Sequence, residues 1–226
     1  MAVVSPEAFA RRLGEVRGRI ADRGRDPASV RIVAVTKGFG TDAVLAAWKA
    51  GIVDVGENYA QELLGKATDP ALSCAAGALR WHYLGAIQRN KLRKLAPYVD
   101  LYQGVSSLRQ AMSLSHSRPG ARVLLEVDFT GARQGFAPGD VASAVAGLAG
   151  AELELAGLMT LAPRGDEAKA REVFSALAEM GADLGLEELS MGMSDDFEIA
   201  VSEGATMVRL GRALFGPRPL RAQARR

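Results

Sequence analysis

The chain has 226 residues, 48% hydrophobic and 24% charged, with 28 Lys and Arg against 26 Asp and Glu for a formal net charge of +2. That length and apolar fraction suffice for a substantial core, and the near balance of charge gives no footprint for nucleic acid or an acidic membrane surface. A single cysteine, Cys74, excludes an internal disulfide, "MAVVSPEAFARRLGEV" lacks the apolar core of a secretion signal, and no apolar run approaches the roughly 20 residues of a bilayer span, so a soluble cytoplasmic protein is expected.

In chain order, "SPEAFARRLGEVRGRIADRG" offers Ser5 as N-cap, Pro6 at the first helical position, and Phe9, Leu13, Val16 and Ile20 along one face, which predicts an amphipathic helix ending at Gly24. Short apolar runs follow at 30–37, 51–58, 80–87, 99–105, 121–129, 153–162, 186–193 and 205–211, giving eight candidate strands. Helical patterns fill the gaps, with Asp140, Asp166 and Ser194 as expected N-caps of the last three and glycine at or near each of their ends. Such alternation predicts the α/β class and a single (β/α)8 TIM-type barrel with an extra N-terminal helix. A doubly wound open sheet carries the same alternation, which does not by itself separate the two. No repeat or linker divides the chain, so 1–226 is taken as one domain, with Arg218, Arg221, Arg225 and Arg226 in a solvated tail.

In a parallel barrel the chemistry sits at the C-terminal strand ends, so polar residues there are the candidates. Lys37 closes the first run on the parity of Val33 and Val35; it either projects into the barrel mouth or marks the strand's exit to solvent, and lysine's aversion to burial favours the exit. Glu57 and Asn58 either cap the next helix or face the mouth. His82, between Trp81 and Tyr83, is expected to be a packed, hydrogen-bonded residue, and His116 falls in a helix, so no metal site is expected. After the seventh and eighth runs, Ser194, Gly211 and the amides of Arg212 and Ala213 form a pattern suited to phosphate. Ser194 with Asp195 and Asp196 is equally an ordinary helix start. Arg209, inside an apolar run, needs either a ligand or an acidic neighbour such as Glu126 or Asp128.

Taken together, "AVTKGF", "GENYAQE", "WHYLGAIQRNK", "GLMTLAP" and "LSMGMSDDFEIAVSEGATMVRLGRALFG" resemble the YggS/PROSC family of pyridoxal phosphate homeostasis proteins over nearly the whole chain. The resemblance implies a barrel like the alanine racemase N-terminal domain, with pyridoxal 5′-phosphate (PLP) as a Schiff base on Lys37. It implies Ser194, Gly211 and Arg212 at the phosphate, Arg209 at the pyridine nitrogen, and Asn58 and Met159 lining the cofactor. An arginine only donates and leaves that nitrogen unprotonated, which suits holding PLP more than carbanion chemistry. The implied protein is a cytoplasmic, monomeric PLP carrier with no catalytic residues, acting in vitamin B6 homeostasis with effects on amino-acid pools, and apo PLP-dependent enzymes are its partners.

The sequence departs from the family pattern after the fifth run. There "EVDFTGARQGFAP" has Asp128 for the usual Asn, a shortened loop, and Arg133 near the usual Lys. The alternatives are a racemase-like PLP enzyme, for which only His82 or Tyr83 offers a second proton-transfer group, and a cofactor-free Schiff-base aldolase using Lys37.

Overall fold

In the computed structural model, residues 4–217 are described, and the basic cluster from Arg218 to Arg226 lies outside them. Ser5 accepts a hydrogen bond from the Ala8 amide and Pro6 opens α1 (Pro6–Ala21), whose buried face is Phe9, Leu13, Val16 and Ile20. The helix stops at Asp22, and Gly24, with φ +72, turns the chain away in a conformation that favours glycine.

The strands are β1 (Arg31–Val35), β2 (Asp54–Glu57), β3 (Arg80–Tyr83), β4 (Val99–Val105), β5 (Ala121–Val127), β6 (Leu153–Thr160), β7 (Glu188–Ser190) and β8 (Met207–Leu210). Each is parallel to its neighbours, and β8 pairs back onto β1, so the sheet is a closed barrel in sequence order. Closure decides between the two folds that alternation left open. The helices are α2 (Thr41–Lys49), α3 (Ala60–Ala67), α4 (Arg89–Leu95), α5 (Leu108–Ser117), α6 (Val141–Gly147), α7 (Glu167–Asp183), α8 (Phe197–Ser202) and α9 (Arg212–Phe215). Among the described residues no helix is long and apolar enough to cross a membrane.

One of the expected caps differs. Asp166 caps α7 by accepting from the Lys169 amide and Asp140 occupies the cap position of α6, though without a side-chain bond, whereas the cap position of α8 is Asp196, also without one, rather than Ser194. The first strand is also shorter than its apolar run, because the chain leaves the sheet after Val35.

The main core lies between the barrel wall and the helices, where the outward side chains of the strands meet the apolar helix faces. A smaller cluster, Val33, Leu101, Leu124, Met159 and Met207, packs inside the barrel. Its floor is ionic: Glu188 receives Arg31 at 2.8 Å and Arg122 at 3.3 Å, and Arg122 also reaches Glu154 at 2.6 Å. Helix α1 covers the β8–β1 seam by packing on α2, α8 and α9. There Phe215 lies between Phe9 and Phe39, 5.1 Å from each ring centre, and fastens the loop after β1 to the loop after β8. Burying each such ring contributes roughly 1.5–3 kcal/mol.

Candidate functional site

Lys37 sits in a turn two residues beyond β1, closed by the Phe39 amide on the Thr36 carbonyl at 3.0 Å, with Gly38 at φ +79. The turn is held from below. Thr36 donates its hydroxyl to Glu57 at 2.6 Å, Lys66 donates to the Thr36 carbonyl at 2.8 Å, and the Gly38 amide donates to Glu62 at 2.7 Å. Lys66 is itself buried and ion-paired with buried Glu57. Burial pushes the Glu57 carboxyl up, opposed by the Lys66 charge and by hydrogen bonds from Lys66 and Thr36. Glu57 is therefore no helix cap; the residue preceding α3 is Tyr59. Lys66 escaped sequence reasoning because a lysine in a short amphipathic helix is ordinarily solvated.

Across the mouth, the loop after β7 is shaped by Gly192, at φ +90, where a Cβ would lie 2.6 Å from that of Ala200. The Met193 amide donates to Asp196 at 2.5 Å, which leaves Ser194 free of capping. Ser194 instead accepts from the Ala213 amide at 3.1 Å, tying this loop to the start of α9. Its own hydroxyl hydrogen is thereby turned to other acceptors. Arg212 pairs with Asp195 at the rim.

Arg209 is 5% exposed, and the acidic ion-pair partner considered for it, Glu126 or Asp128, is not what holds it. It donates to the Ser190 carbonyl at 2.7 Å, the Ser190 hydroxyl at 2.6 Å and the Thr160 carbonyl at 2.8 Å. Burial brings its pKa down to about 10, opposed by the charges of Asp196 and Glu126.

Below Arg209 a chain of hydrogen bonds crosses the barrel interior, and its direction is fixed from the floor. Burial alone would raise the Asp54 pKa, but bonds from His82 and Arg80 bring it to about 2, so its carboxylate only accepts. His82 Nε2, at 2.9 Å, therefore carries a proton, and Nδ1 accepts from Gln103 Nε2 at 2.7 Å. That orientation turns Gln103 Oε1 toward Ser190, whose hydroxyl donates at 2.6 Å and has its lone pairs left for Arg209. His82 is thus a packed, hydrogen-bonded residue as expected. Gln103 and Ser190 were not anticipated; their only signal was a polar residue inside or closing an apolar run.

These elements enclose a cavity of about 270 Å³. Lys37, Asn58, Met159, Ser194, Arg209, Gly211 and Arg212 all line it, so the structure brings the expected site residues together. Glu126 and Arg133 line it too. Burial pushes Glu126 up to about 7, against the opposing charges of Arg209 and Arg133. The shortened loop after β5 folds back, with the Phe136 amide on the Glu126 carbonyl at 2.8 Å and the Asp128 amide on the Phe136 carbonyl at 2.9 Å. Asn58 Oδ1 is buried with no hydrogen-bond partner, so the cavity wall retains an unused acceptor. His82 and Tyr83 are not among the lining residues; Tyr83 donates to the Ala86 carbonyl. Among the described residues no His, Cys, Asp and Glu gather into a group able to hold a metal ion. A cavity somewhat below the roughly 300 Å³ lower bound of drug-sized sites, with an amine on one side and hydroxyl, amide and guanidinium donors on the other, suits a small anionic carbonyl compound.

The alanine racemase N-terminal domain family matches residues 4–219. A Pseudomonas aeruginosa protein named pyridoxal phosphate homeostasis protein is 41% identical, covering 96% of this chain and 97% of its own. Proteins of the same name from Deinococcus radiodurans and Escherichia coli K12 are 38% and 34% identical, covering 90% and 93% of this chain and 97% of each relative. PipY of Synechococcus elongatus with PLP bound is 32% identical, with a TM-score of 0.79 over 92% of this chain and all of that one. Alanine racemase of Corynebacterium glutamicum shares the fold, with a TM-score of 0.72 at 16% identity over 97% of this chain and 63% of the racemase.

Proposed function

Because the chain belongs to the family of pyridoxal phosphate homeostasis proteins built on the alanine racemase N-terminal domain, we propose that it holds PLP as a Schiff base on Lys37. Its role is PLP (vitamin B6) homeostasis, with effects on amino-acid pools, as a cytoplasmic carrier rather than a catalyst. The observation that carries this reading is the convergence of Lys37, buried Arg209 and the Ser194–Gly211–Arg212 corner on one small cavity.

The residues present fit the group. Lys37 supplies the amine, and Ser194 with Arg212 and the backbone at Gly211 supplies donors for a phosphate. Arg209 would meet the ring nitrogen as a donor only, and Asn58, with its unused acceptor, and Met159 would hold the ring. When bound, PLP supplies an electrophilic aldehyde and an electron sink, and an arginine at the nitrogen keeps the sink weak.

The test is the visible spectrum. Wild-type protein given PLP is expected to be yellow, and Lys37→Ala to lose the imine band; a wild type that stays colourless overturns the reading.

Glu126 favours a second reading, a racemase-like enzyme, because a carboxyl titrating near neutrality lines the same cavity as Lys37. Incubation of loaded protein with a panel of L-amino acids separates the two. D-isomer formation supports the enzyme, and its absence across the panel supports the carrier.

A further inference from the structure

We propose that the groove between α4 and α5 docks an acidic, amphipathic segment of the protein that receives PLP, beside the mouth of the cofactor cavity. The proposal rests on the carrier reading above for the partner's identity, but the surface itself stands on separate observations.

The first is charge. From Ala86 to Gly120 the sequence carries Arg89, Lys91, Arg93, Lys94, Arg109 and Arg118 against one acid, Asp100, whose carboxylate is occupied by the Trp81 amide at 2.7 Å. Arg89, Arg93, Lys94 and Arg109 line a groove of about 1030 Å³ with no acidic side chain in its wall. Elsewhere among the described residues, ion pairs with acids engage Arg19, Arg31, Arg80, Arg122, Arg171 and Arg212; none of the groove's cations forms one. Four cations gathered along one groove with no acid in its wall present a surface complementary to an acidic partner.

The second is apolar exposure. Only three large hydrophobic side chains are exposed among the described residues: Met112 at 37%, Leu108 at 39% and Tyr59 at 56%. Met112 lines the groove; Leu108, one turn earlier on α5, lies against Gly147 of α6, and Tyr59 stands just before α3, which packs against α4. An apolar centre within a charged rim is the anatomy of a protein interface, and methionine adapts to varied partners. A single-stranded nucleic acid would instead use stacking on large aromatic rings, and no Phe, Tyr or Trp lines this groove.

The third is position. Helices α4 and α5 follow β3 and β4, so their N-terminal ends, bearing Arg89 and Arg109, stand at the mouth end of the barrel. A second hollow lined by Ile87, Arg89, Arg109 and Gln110 continues from the groove at that end. A partner seated here stands next to the opening through which PLP would pass.

The probes are a fluorescein-labelled helical peptide of Glu and Leu, roughly 18 residues or five turns long, the same peptide with Leu replaced by Ala, and a single-stranded RNA of similar charge. At about 0.15 M salt, where exposed charges act over only some 8 Å, the Glu/Leu peptide is expected to bind wild type at least about tenfold tighter than the triple variant Arg89→Glu, Arg93→Glu, Arg109→Glu. It is expected to bind several-fold tighter than the Ala peptide and tighter than the RNA. The Gln versions of the three substitutions repeat the comparison should the Glu versions not fold. Equal binding by wild type and variant, indifference to the leucines, or preference for RNA overturns the proposal. PLP loading is read separately from the visible band and is expected to be unchanged in the variants. A yellow protein that ignores the peptide removes the docking surface and leaves the carrier; a colourless one that binds it does the reverse.

Discussion

Lys66→Met tests whether the buried pair behind the Lys37 turn supports both the fold and the site. The substitution keeps an unbranched chain one atom shorter and removes three contacts of Nζ: the ion pair to Glu57, the 2.8 Å bond to the Thr36 carbonyl, and a 3.9 Å approach to Glu62. The Lys66 and Glu57 side chains are 7% and 0% exposed, so solvent cannot replace the lost partner. Removing one member of a buried pair costs about 3–5 kcal/mol. For a chain of this size, at about 2–4 °C per kcal/mol, the Tm is expected to fall by roughly 6–20 °C.

Glu57 can relieve the strain by taking up a proton, and this gives the prediction a pH signature. Its folded pKa already lies above the ordinary value and rises further without Lys66. A carboxyl with a raised folded pKa destabilises as pH climbs from its unfolded value through its folded one, so the variant should lose more at pH 8 than at pH 5. Thermal unfolding followed by circular dichroism at both pH values gives the two losses. Adding Glu57→Gln should recover part of the stability at pH 8, because the orphaned charge is gone. A loss under about 1 kcal/mol at pH 8, with no dependence on pH, would refute the argument that this pair is buried and coupled.

Two further outcomes follow from the interior. Ser190→Ala removes the hydroxyl that accepts from Arg209 and donates to Gln103, and is expected to cost about 1–3 kcal/mol by denaturant unfolding and to weaken PLP binding several-fold by fluorescence titration; unchanged affinity would mean the two backbone carbonyls suffice to hold Arg209. Glu126→Gln should flatten the fall in stability between pH 4.5 and about 7, because a carboxyl raised to about 7 by burial opposes folding as it ionises. At pH 8 the variant is expected to exceed wild type by roughly 1–2 kcal/mol after allowance for solvent screening, and equal pH profiles for the two proteins would place the titration elsewhere.

The outline of the site was legible in the sequence because it follows from one-dimensional patterns. A β-branched run ending in Thr-Lys-Gly places an amine just past a strand end, and Ser and Gly after the last two runs place donors at the same barrel face. Local competition between caps was not legible. Ser194, Asp195 and Asp196 stand in succession, and the choice of Asp196 depends on the Met193 amide reaching it while Ser194 meets Ala213 from a different loop. Asn58 looked like a cap for the same reason: side-chain polarity marks a helix start without saying which way the side chain turns.

By itself the sequence determined the order and kind of the elements, the amphipathic α1, and which residues stand at strand ends, because periods of 3.6 and 2 and the turn residues are properties of the local chain. Barrel closure decided the rest. Only when β8 returns to β1 do inward side chains of β2, β3, β4, β7 and β8 come within reach of one another, so that Asp54, His82, Gln103, Ser190 and Arg209 form one chain of bonds. The same packing buries Lys66, a residue whose type argues for solvent, because Glu57 and the Thr36 carbonyl await it inside. Hydrogen bonds between distant segments depend on distance and angle in three dimensions, which residue spacing along the chain does not encode.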